Sequence, residues 1–356
     1  MPDVSPEPIR RPRWLLWAAL TVSSVAAAGL LEFLHVPAAL MIGPMIAAVT
    51  FGALGFKLAV WTPLTAAAFA IVGVMIAASI EPALFSALLG VWPVVIGATL
   101  ATLGASAFLG WRVSRWGILP GTTAIWGSAP GAASAMVLMA DAFGADARLV
   151  AFMQYVRVVT VSLTAAFIAR LFVDTSGVAA HPVVWFPQLQ PIPFAATVGV
   201  AVAGIFIGRI ARLPSPTFLG PMLLGVALHT GGGVAFQLPE WLLAAAYLVI
   251  GWGIGLRFDR ATLVHSLRSL PHIMAAVVAL IAFCGLIAWL LAYYLGVDPL
   301  TAYLATSPGG MDTIAIIAAA SDDVDLAFVM TLQTMRFIIV LLFGPPVARW
   351  LAGRAA

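Results

Sequence analysis

Long apolar segments, separated by short stretches that carry arginine, proline or glycine, run along almost the whole chain. Ten of them have about the length that a helix needs to cross a bilayer core of roughly 30 Å at 1.5 Å per residue. The predicted spans are residues 14–32, 37–54, 63–80, 91–110, 147–172, 192–208, 216–230, 238–256, 271–295 and 325–348. The pattern therefore predicts an all-α protein that crosses a membrane many times.

The polar and helix-breaking positions of the first half return in the second half. Gly-Pro-Met at 43–45 pairs with 220–222, and Ser-Ala-Pro-Gly at 128–131 pairs with Ser-Pro-Gly at 307–309. A Gln-x-x-Arg sequence follows each Pro-Gly phrase, and the offset between equivalent positions is almost constant along the chain. Such a constant offset indicates an internal duplication. The predicted units are an N-terminal cytoplasmic segment, repeat 1, a linker and repeat 2, at residues 1–13, 14–172, 173–191 and 192–350.

Two further segments, 117–145 and 298–322, each contain one Pro-Gly phrase and allow two topologies. If both cross the membrane, the chain has twelve spans in parallel repeats, with nine basic residues inside and six outside. If both enter and return as hairpins, each repeat has five spans and the second repeat is inverted. Of the 17 Lys and Arg residues, two then lie in spans, fourteen face the cytoplasm and only Arg170 lies outside. The positive-inside rule favours the inverted arrangement in a bacterial inner membrane.

Re-entrant backbone is tolerated only where it is buried in protein or lines a polar cavity. Hairpin arms of about 10–12 residues reach roughly half way across the bilayer, so the tips near Pro130 and Pro308 are expected to meet near the midplane. Return arms that start near Gly131 and Gly309 then present free backbone N–H groups and the positive end of a helix dipole. This arrangement favours an anion.

Arg157 and Arg336 lie at similar depths in their spans, where an unpaired arginine costs at least about 2.5–3.5 kcal/mol. Asp312 is the carboxylate near them, and repeat 1 has Ser134 at its position. One excess positive charge therefore remains for a substrate anion, and Asp312 is the candidate proton-coupling group. Alternatively, an Arg336–Asp312 pair, with Arg157 bonded to hairpin carbonyls, is purely structural. The predicted binding residues are Ser128, Pro130, Gly131, Gln154, Arg157, Thr306, Ser307, Pro308, Gly309, Gly310, Gln333 and Arg336.

Composition narrows the class of protein further. Only 9% of the residues are charged and 63% are hydrophobic, whereas soluble domains carry about 25% charged residues. The net charge of +3 comes from residues at segment ends and not from a patch, so we expect the lipid bilayer and no nucleic acid as a partner. The five scattered histidines and single cysteine predict no metal site and no cofactor. The sequence leaves the oligomeric state open, with a homodimer among the options.

The duplicated Gly-Pro-Met, Ser-Pro-Gly and Gln-x-x-Arg pattern resembles the bacterial AbrB-duplication membrane family, from about residue 15 to 350. That family carries two inherited labels, ammonia monooxygenase and regulator. Its phrase after Pro-Gly-Gly usually includes a glutamate, which this chain replaces with Ser134 and Asp312. An oxygenase would need a metal-ligand cluster that this sequence does not offer, so we expect no enzymatic activity.

Two functions remain as hypotheses. The first is a gradient-driven secondary transporter of a small anionic solute that works by alternating access around the two tips. The second is a membrane protein that affects gene expression indirectly and uses its Arg–Asp network only for structure. A transporter should lose flux when Arg157 is replaced while it stays folded, whereas a structural network should lose stability.

Overall fold

The computed structural model of the chain describes residues 12–34, 36, 38–80, 83–116, 119, 122–130, 133–172, 184–213, 215–309, 314, 318 and 324–355. Every regular element within these residues is a helix. The first half contains α1 (Arg13–Phe33), α2 (Ala39–Ala53), α3 (Thr62–Ala78), α4 (Ala83–Arg115), α5 (Thr123–Ser128), α6 (Ala133–Ala142) and α7 (Ala147–Phe172). The second half contains α8 (Pro191–Ile210), α9 (Pro216–Gly232), α10 (Glu240–Gly255), α11 (Arg260–Leu295), α12 (Pro299–Thr306) and α13 (Leu326–Ala355).

Several of these helices present an apolar surface to their surroundings. Four described segments are long and apolar enough to cross a bilayer: Arg13–Phe33, Trp92–Arg115, Pro191–Ile210 and Arg260–Leu295. Large apolar side chains on α1 and α8, such as Phe33 and Ile210, are at least 80% exposed. Apolar exposure along such helices suits lipid and not water. The protein is therefore a helical membrane protein.

Helices α4 and α11 are longer than their hydropathy indicates. They contain 33 and 36 residues, whereas the predicted spans cover only 91–110 and 271–295. The apolar pattern marks the part of a helix that suits a bilayer, but the helix continues through polar turns that carry Arg112 and Arg115 in α4 and Arg268 in α11. At 1.5 Å per residue, each extends about 50 Å.

The two Pro-Gly phrases interrupt helices, as their sequence predicts. Helix α5 ends just before Pro130, and α6 begins shortly after it; helix α12 ends just before Pro308. The incoming arms are short, with six residues in α5 and eight in α12, so the predicted length of 10–12 residues is wrong for them. Pro120-Gly121 discourages a helix before α5, and Asp298-Pro299 fixes the start of α12, where the Asp298 carboxylate accepts from the Thr301 N–H.

The helices pack into two groups, each drawn from both halves of the chain. Helices α1, α2, α3, α8, α9 and α10 pack together, and we call this group the six-helix bundle. Helices α4 to α7 and α11 to α13 form the hairpin bundle, which contains both interrupted helices. The two bundles meet where α7 packs on α10 and α11 on α2, and a common apolar core joins them. The hydroxyl of Tyr155 on α7, for example, contacts the sulfur of Met41 on α2.

Packing within the six-helix bundle is reciprocal. Helix α3 packs on α9, and its repeat equivalent α10 packs on α2, the repeat equivalent of α9. Gly73 of α3 lies against the side chain of Pro221, and Gly251 of α10 lies against that of Pro44. These glycines and prolines are equivalent positions of the duplication, so the two halves make the same contact with each other.

The same contacts give the direction of the paired helices. Four residues beyond Gly73, Ala77 contacts Gly225, which lies four residues beyond Pro221. On the other side, Gly255 contacts Ala48, four residues beyond the Gly251–Pro44 contact. Contacts that advance together along both chains mean that α3 runs parallel to α9, and α10 parallel to α2.

Candidate functional site

The two helix interruptions have the same backbone conformation. Ala129 follows α5 with φ −58° and ψ 123°, and Ser307 follows α12 with φ −55° and ψ 131°. Each precedes a proline, which pushes the preceding residue out of the helical region and ends the helix. The last carbonyl groups of α5 and α12 are thus left without partners inside their own helix. These carbonyls are what the Gln and Arg side chains of the duplicated motif bind.

Helix α7 supplies the first set of donors, buried against the end of α5. The Gln154 amide donates to the carbonyls of Trp126 at 2.8 Å and Ala129 at 3.1 Å. Nη1 of Arg157 donates to the carbonyls of Ser128 and Ala129. We call this arrangement the first clamp, because two side chains of one helix hold the end of another.

Helix α13 repeats the arrangement at the end of α12. The Gln333 amide donates to the carbonyls of Leu304 at 2.7 Å and Ser307 at 3.0 Å. Nη1 of Arg336 donates to the carbonyls of Thr306 at 3.2 Å and Ser307 at 2.7 Å, and its Nη2 donates to the Gln333 side-chain oxygen. In this second clamp, each bond from the Gln amide and from Nη1 of the arginine has its counterpart in the first clamp, between equivalent positions of the two repeats.

Both guanidinium groups are deeply buried, with Arg157 1% and Arg336 3% exposed. They lie near enough for their charges to repel each other. The carboxyl ends of α5 and α12 compensate part of this charge, because a helix end carries about half a negative charge. Two full charges against about one unit from two helix ends leave a net positive centre between the tips.

A second pair of matched contacts supports the clamps, and our sequence reasoning missed it. The Thr123 hydroxyl accepts from the Asp146 N–H, and the Thr301 hydroxyl accepts from the Asp325 N–H. The two threonines are equivalent positions of the duplication, and so are the two aspartates, which lie just before α7 and α13. The register of these four residues was a visible signal, but nothing in their identity indicated a contact.

Most of the predicted binding residues come together at the tips. Pro130 and Pro308 are buried, as are Ser128, Thr306, Ser307 and Gly309. Gly131, Gly310 and Asp312 lie outside the described residues. Ser106 of α4 donates to the Ser128 carbonyl, and Thr306 donates to the carbonyl of Cys284 on α11, the repeat equivalent of Ser106. The site is therefore framed by α4 and α11 in addition to the predicted segments.

Salt bridges within the described part of the chain lie at the surface, where the two bundles meet. Arg148 binds Asp146, and Arg257 binds Asp141 at 3.1 Å. Arg148 also donates to the Arg257 carbonyl. Burial acts to raise the pKa of the Asp146 carboxyl, but hydrogen bonds from Arg148 and its charge outweigh burial and lower that pKa below its usual value. We call these four residues the surface ion network.

Comparison with known proteins places this architecture in a family. A family profile described as "Transition state regulatory protein AbrB" matches residues 40–352, which include both clamps. The chain belongs to the AbrB family. "Putative regulator AbrB" of Escherichia coli (strain K12) is 44% identical over 339 residues, which cover 95% of this chain and 97% of that protein. "Uncharacterized protein YhjN" of Bacillus subtilis (strain 168) is 28% identical over 260 residues, 69% of this chain and 67% of that protein.

Among solved structures, the chain is similar to the sodium proton antiporter MjNhaP1 of Methanocaldococcus jannaschii at pH 8. The match covers 96% of this chain and 98% of that chain at 16% identity, with a TM-score of 0.20. A likeness at this level carries no argument about fold or function. Membership of the AbrB family confirms the resemblance seen in the duplicated motifs.

Proposed function

We propose that this protein is a gradient-driven secondary transporter of a small anionic solute. The observation that carries the proposal is the duplicated clamp, which gathers two buried arginines at the ends of two interrupted helices. Interrupted helices at the interface of two repeats are the usual site of substrate binding in secondary transporters. In this proposal the solute anion completes the charge balance of the centre.

The packing directions support an inverted relation between the repeats. Helices α2 and α3 are joined by residues 54–61, so they run in opposite directions if both cross the membrane. Helix α3 runs parallel to α9, and α9 is the repeat equivalent of α2. It follows that α2 and α9 cross in opposite directions. This argument is independent of the basic residues, and both favour ten spans with two opposed re-entrant hairpins.

The basic residues give the proposed orientation. With inverted repeats, fourteen of the 17 Lys and Arg residues face one side, which we assign to the cytoplasm of a bacterial inner membrane. The N-terminus then lies in the cytoplasm, and so does the surface ion network. In this arrangement α5 and α12 enter from opposite faces, and their tips meet near the midplane.

The division into two bundles supplies a mechanism for alternating access. The hairpin bundle carries both clamps, and it meets the six-helix bundle largely through apolar side chains. Apolar surfaces can repack with little directional cost, whereas a hydrogen-bonded interface would fix one arrangement. We propose that the hairpin bundle shifts against the six-helix bundle and exposes the centre to one side at a time. Asp312 remains the proposed proton-coupling group.

Reconstitution into liposomes tests the proposal. Labelled acetate, succinate and chloride are offered with and without an imposed proton gradient, and we expect saturable, gradient-dependent uptake of at least one of them. Arg157→Ala should reduce that uptake at least about tenfold, because a charge-assisted contact contributes about 1.5–3 kcal/mol. Arg157→Lys keeps the charge and should retain part of the flux. Uptake that is unchanged in folded Arg157→Ala protein would disprove the role of the centre.

A second function has one specific observation in its favour. Nη1 of each arginine binds backbone carbonyls, as a purely structural network requires, and the E. coli relative is named a regulator. In that case, the protein acts indirectly in gene expression and transports nothing. Joint replacement of Arg336 and Asp312 by leucine then leaves a stable, active protein, whereas a transporter loses flux. Neither function requires catalysis or a cofactor.

A further inference from the structure

A recess lies beside the first clamp, between α4, α5, α7 and α11. Its volume is about 20 Å³, room for roughly one water-sized group. Arg157, Ser106 and Ser128 contribute its polar atoms, and Leu109, Ile273 and Val277 are among its apolar walls. Leu109 is only half-buried, so the recess opens between α4 and α11 towards the end of α4 that carries Arg112 and Arg115.

The charges of the recess select a type of anion. One guanidinium lies in its lining, and the Ser106 hydroxyl already donates to the Ser128 carbonyl. The remaining walls carry methyl, methylene and thioether groups, where a second charged group would lose its hydration without gaining a partner. We infer that the recess binds a small aliphatic monocarboxylate, with its carboxylate at Arg157 and its short tail against Leu109, Ile273 and Val277. The inference rests on the proposed transport function and names its substrate class.

The repeat equivalent of the recess is different. Thr99, Thr102 and Cys284 stand at the positions equivalent to Val277, Leu280 and Ser106, and all three are fully buried. Ala98 and Ile287, the equivalents of the half-buried Ala276 and Leu109, are 7% and 8% exposed. The second side is thus closed and more polar. An apolar tail therefore fits only on the Arg157 side, which fixes the orientation of the bound anion.

Thermal unfolding of the purified full-length protein tests the substrate class. The probes are the sodium salts of formate, acetate, propionate and butyrate, compared with succinate, sulfate and phosphate at equal ionic strength. We expect the monocarboxylates to raise the Tm by about 3 °C at saturation. Affinity should rise about fourfold per added methylene until the tail no longer fits. The other three anions should leave the Tm unchanged.

Matched variants of α11 locate the binding site. Ala276→Phe fills the recess and should weaken acetate binding at least about tenfold, measured as the shift of the concentration that gives half of the Tm increase. Ala275→Phe places the same side chain at an exposed position of the same helix and should leave binding unchanged. Because both variants keep Arg157, the comparison does not depend on the stability of the clamp.

The outcomes separate this inference from the proposed function. Stabilisation by succinate or sulfate equal to that by acetate, or acetate binding that survives Ala276→Phe, would overturn the monocarboxylate class and leave anion transport standing. Absence of stabilisation by every anion, together with absence of uptake in liposomes, would overturn both. Monocarboxylate stabilisation that is lost only in Ala276→Phe would establish the recess as the binding site.

Discussion

Single side chains do most to define the centre of this protein. An arginine in a membrane usually needs an acidic partner, but these two arginines find part of their compensation in the carbonyl ends of short helices. Each glutamine completes the arrangement by binding the carbonyl one turn earlier and the carbonyl that follows the helix. The clamps thus hold the interrupted helices in place and also concentrate positive charge where they end.

Gln333→Leu should lower the free energy of unfolding by about 2–4 kcal/mol. The substitution leaves the carbonyls of Leu304 and Ser307 without the amide donor and removes the acceptor of an Arg336 N–H, and each buried orphan costs about 1–3 kcal/mol. Unfolding in detergent, followed by circular dichroism, measures the change. The control is Gln188→Leu at an exposed position, which should change stability by less than about 0.5 kcal/mol. Equal stability of the two variants would show that the clamp is not structural.

Pairs of helices in the six-helix bundle approach so closely that only glycine fits between them. A Cβ atom on Gly220 of α9 would meet the backbone of Gly204 on α8, and one on Gly43 of α2 would meet the backbone at Ala28 on α1. Because backbone cannot yield as a flexible side chain does, these contacts fix the position of each pair. They explain why Gly-Pro-Met is duplicated, which the sequence pattern alone did not.

Gly220→Ala should destabilise the protein by about 1–3 kcal/mol, because the new methyl group must separate α8 from α9. Gly199→Ala is the matched control in the same pair of helices. A Cβ atom there meets nothing within 4 Å, so the change should stabilise α8 by about 0.5–1 kcal/mol. Thermal unfolding of both variants measures the contrast. A Gly220→Ala protein as stable as Gly199→Ala would mean that the two helices are free to separate.

Sequence patterns were sufficient for features that hydrophobicity and register record. The apolar spans, the duplication and the helix breaks at Pro130 and Pro308 all follow from the order of residues. Register could not decide what Arg157 binds, because backbone carbonyls exist at every residue and leave no trace in the sequence. The six-residue length of α5 and the polar turns of α11 were also missed, since neither depends on hydropathy.

The arrangement of the two bundles is a property of long-range packing. The repeats do not form separate bodies; instead each contributes three helices to one bundle and the rest to the other. The surface ion network ties the bundles on a single face, through Arg257 at the end of α10 and Asp141 at the end of α6. Ser79 stands at the position of Arg257 in the other repeat, and Ala327 at that of Arg148. The network therefore favours one of two otherwise equivalent arrangements.

Asp141→Ala should raise the population of the alternative arrangement about fivefold, because an exposed ion pair contributes up to about 1 kcal/mol. Replacing Cys284, the only cysteine, gives a background for two reporters, Leu109→Cys on the open side and Ile287→Cys at the closed equivalent. The labelling rate of Ile287→Cys by a polar maleimide should rise about fivefold, while that of Leu109→Cys changes little because its state already dominates. Arg268→Ala, at an exposed position outside the network, controls for the loss of a surface charge. An Asp141→Ala rate at position 287 equal to that of the control would show that the network does not hold the bundles.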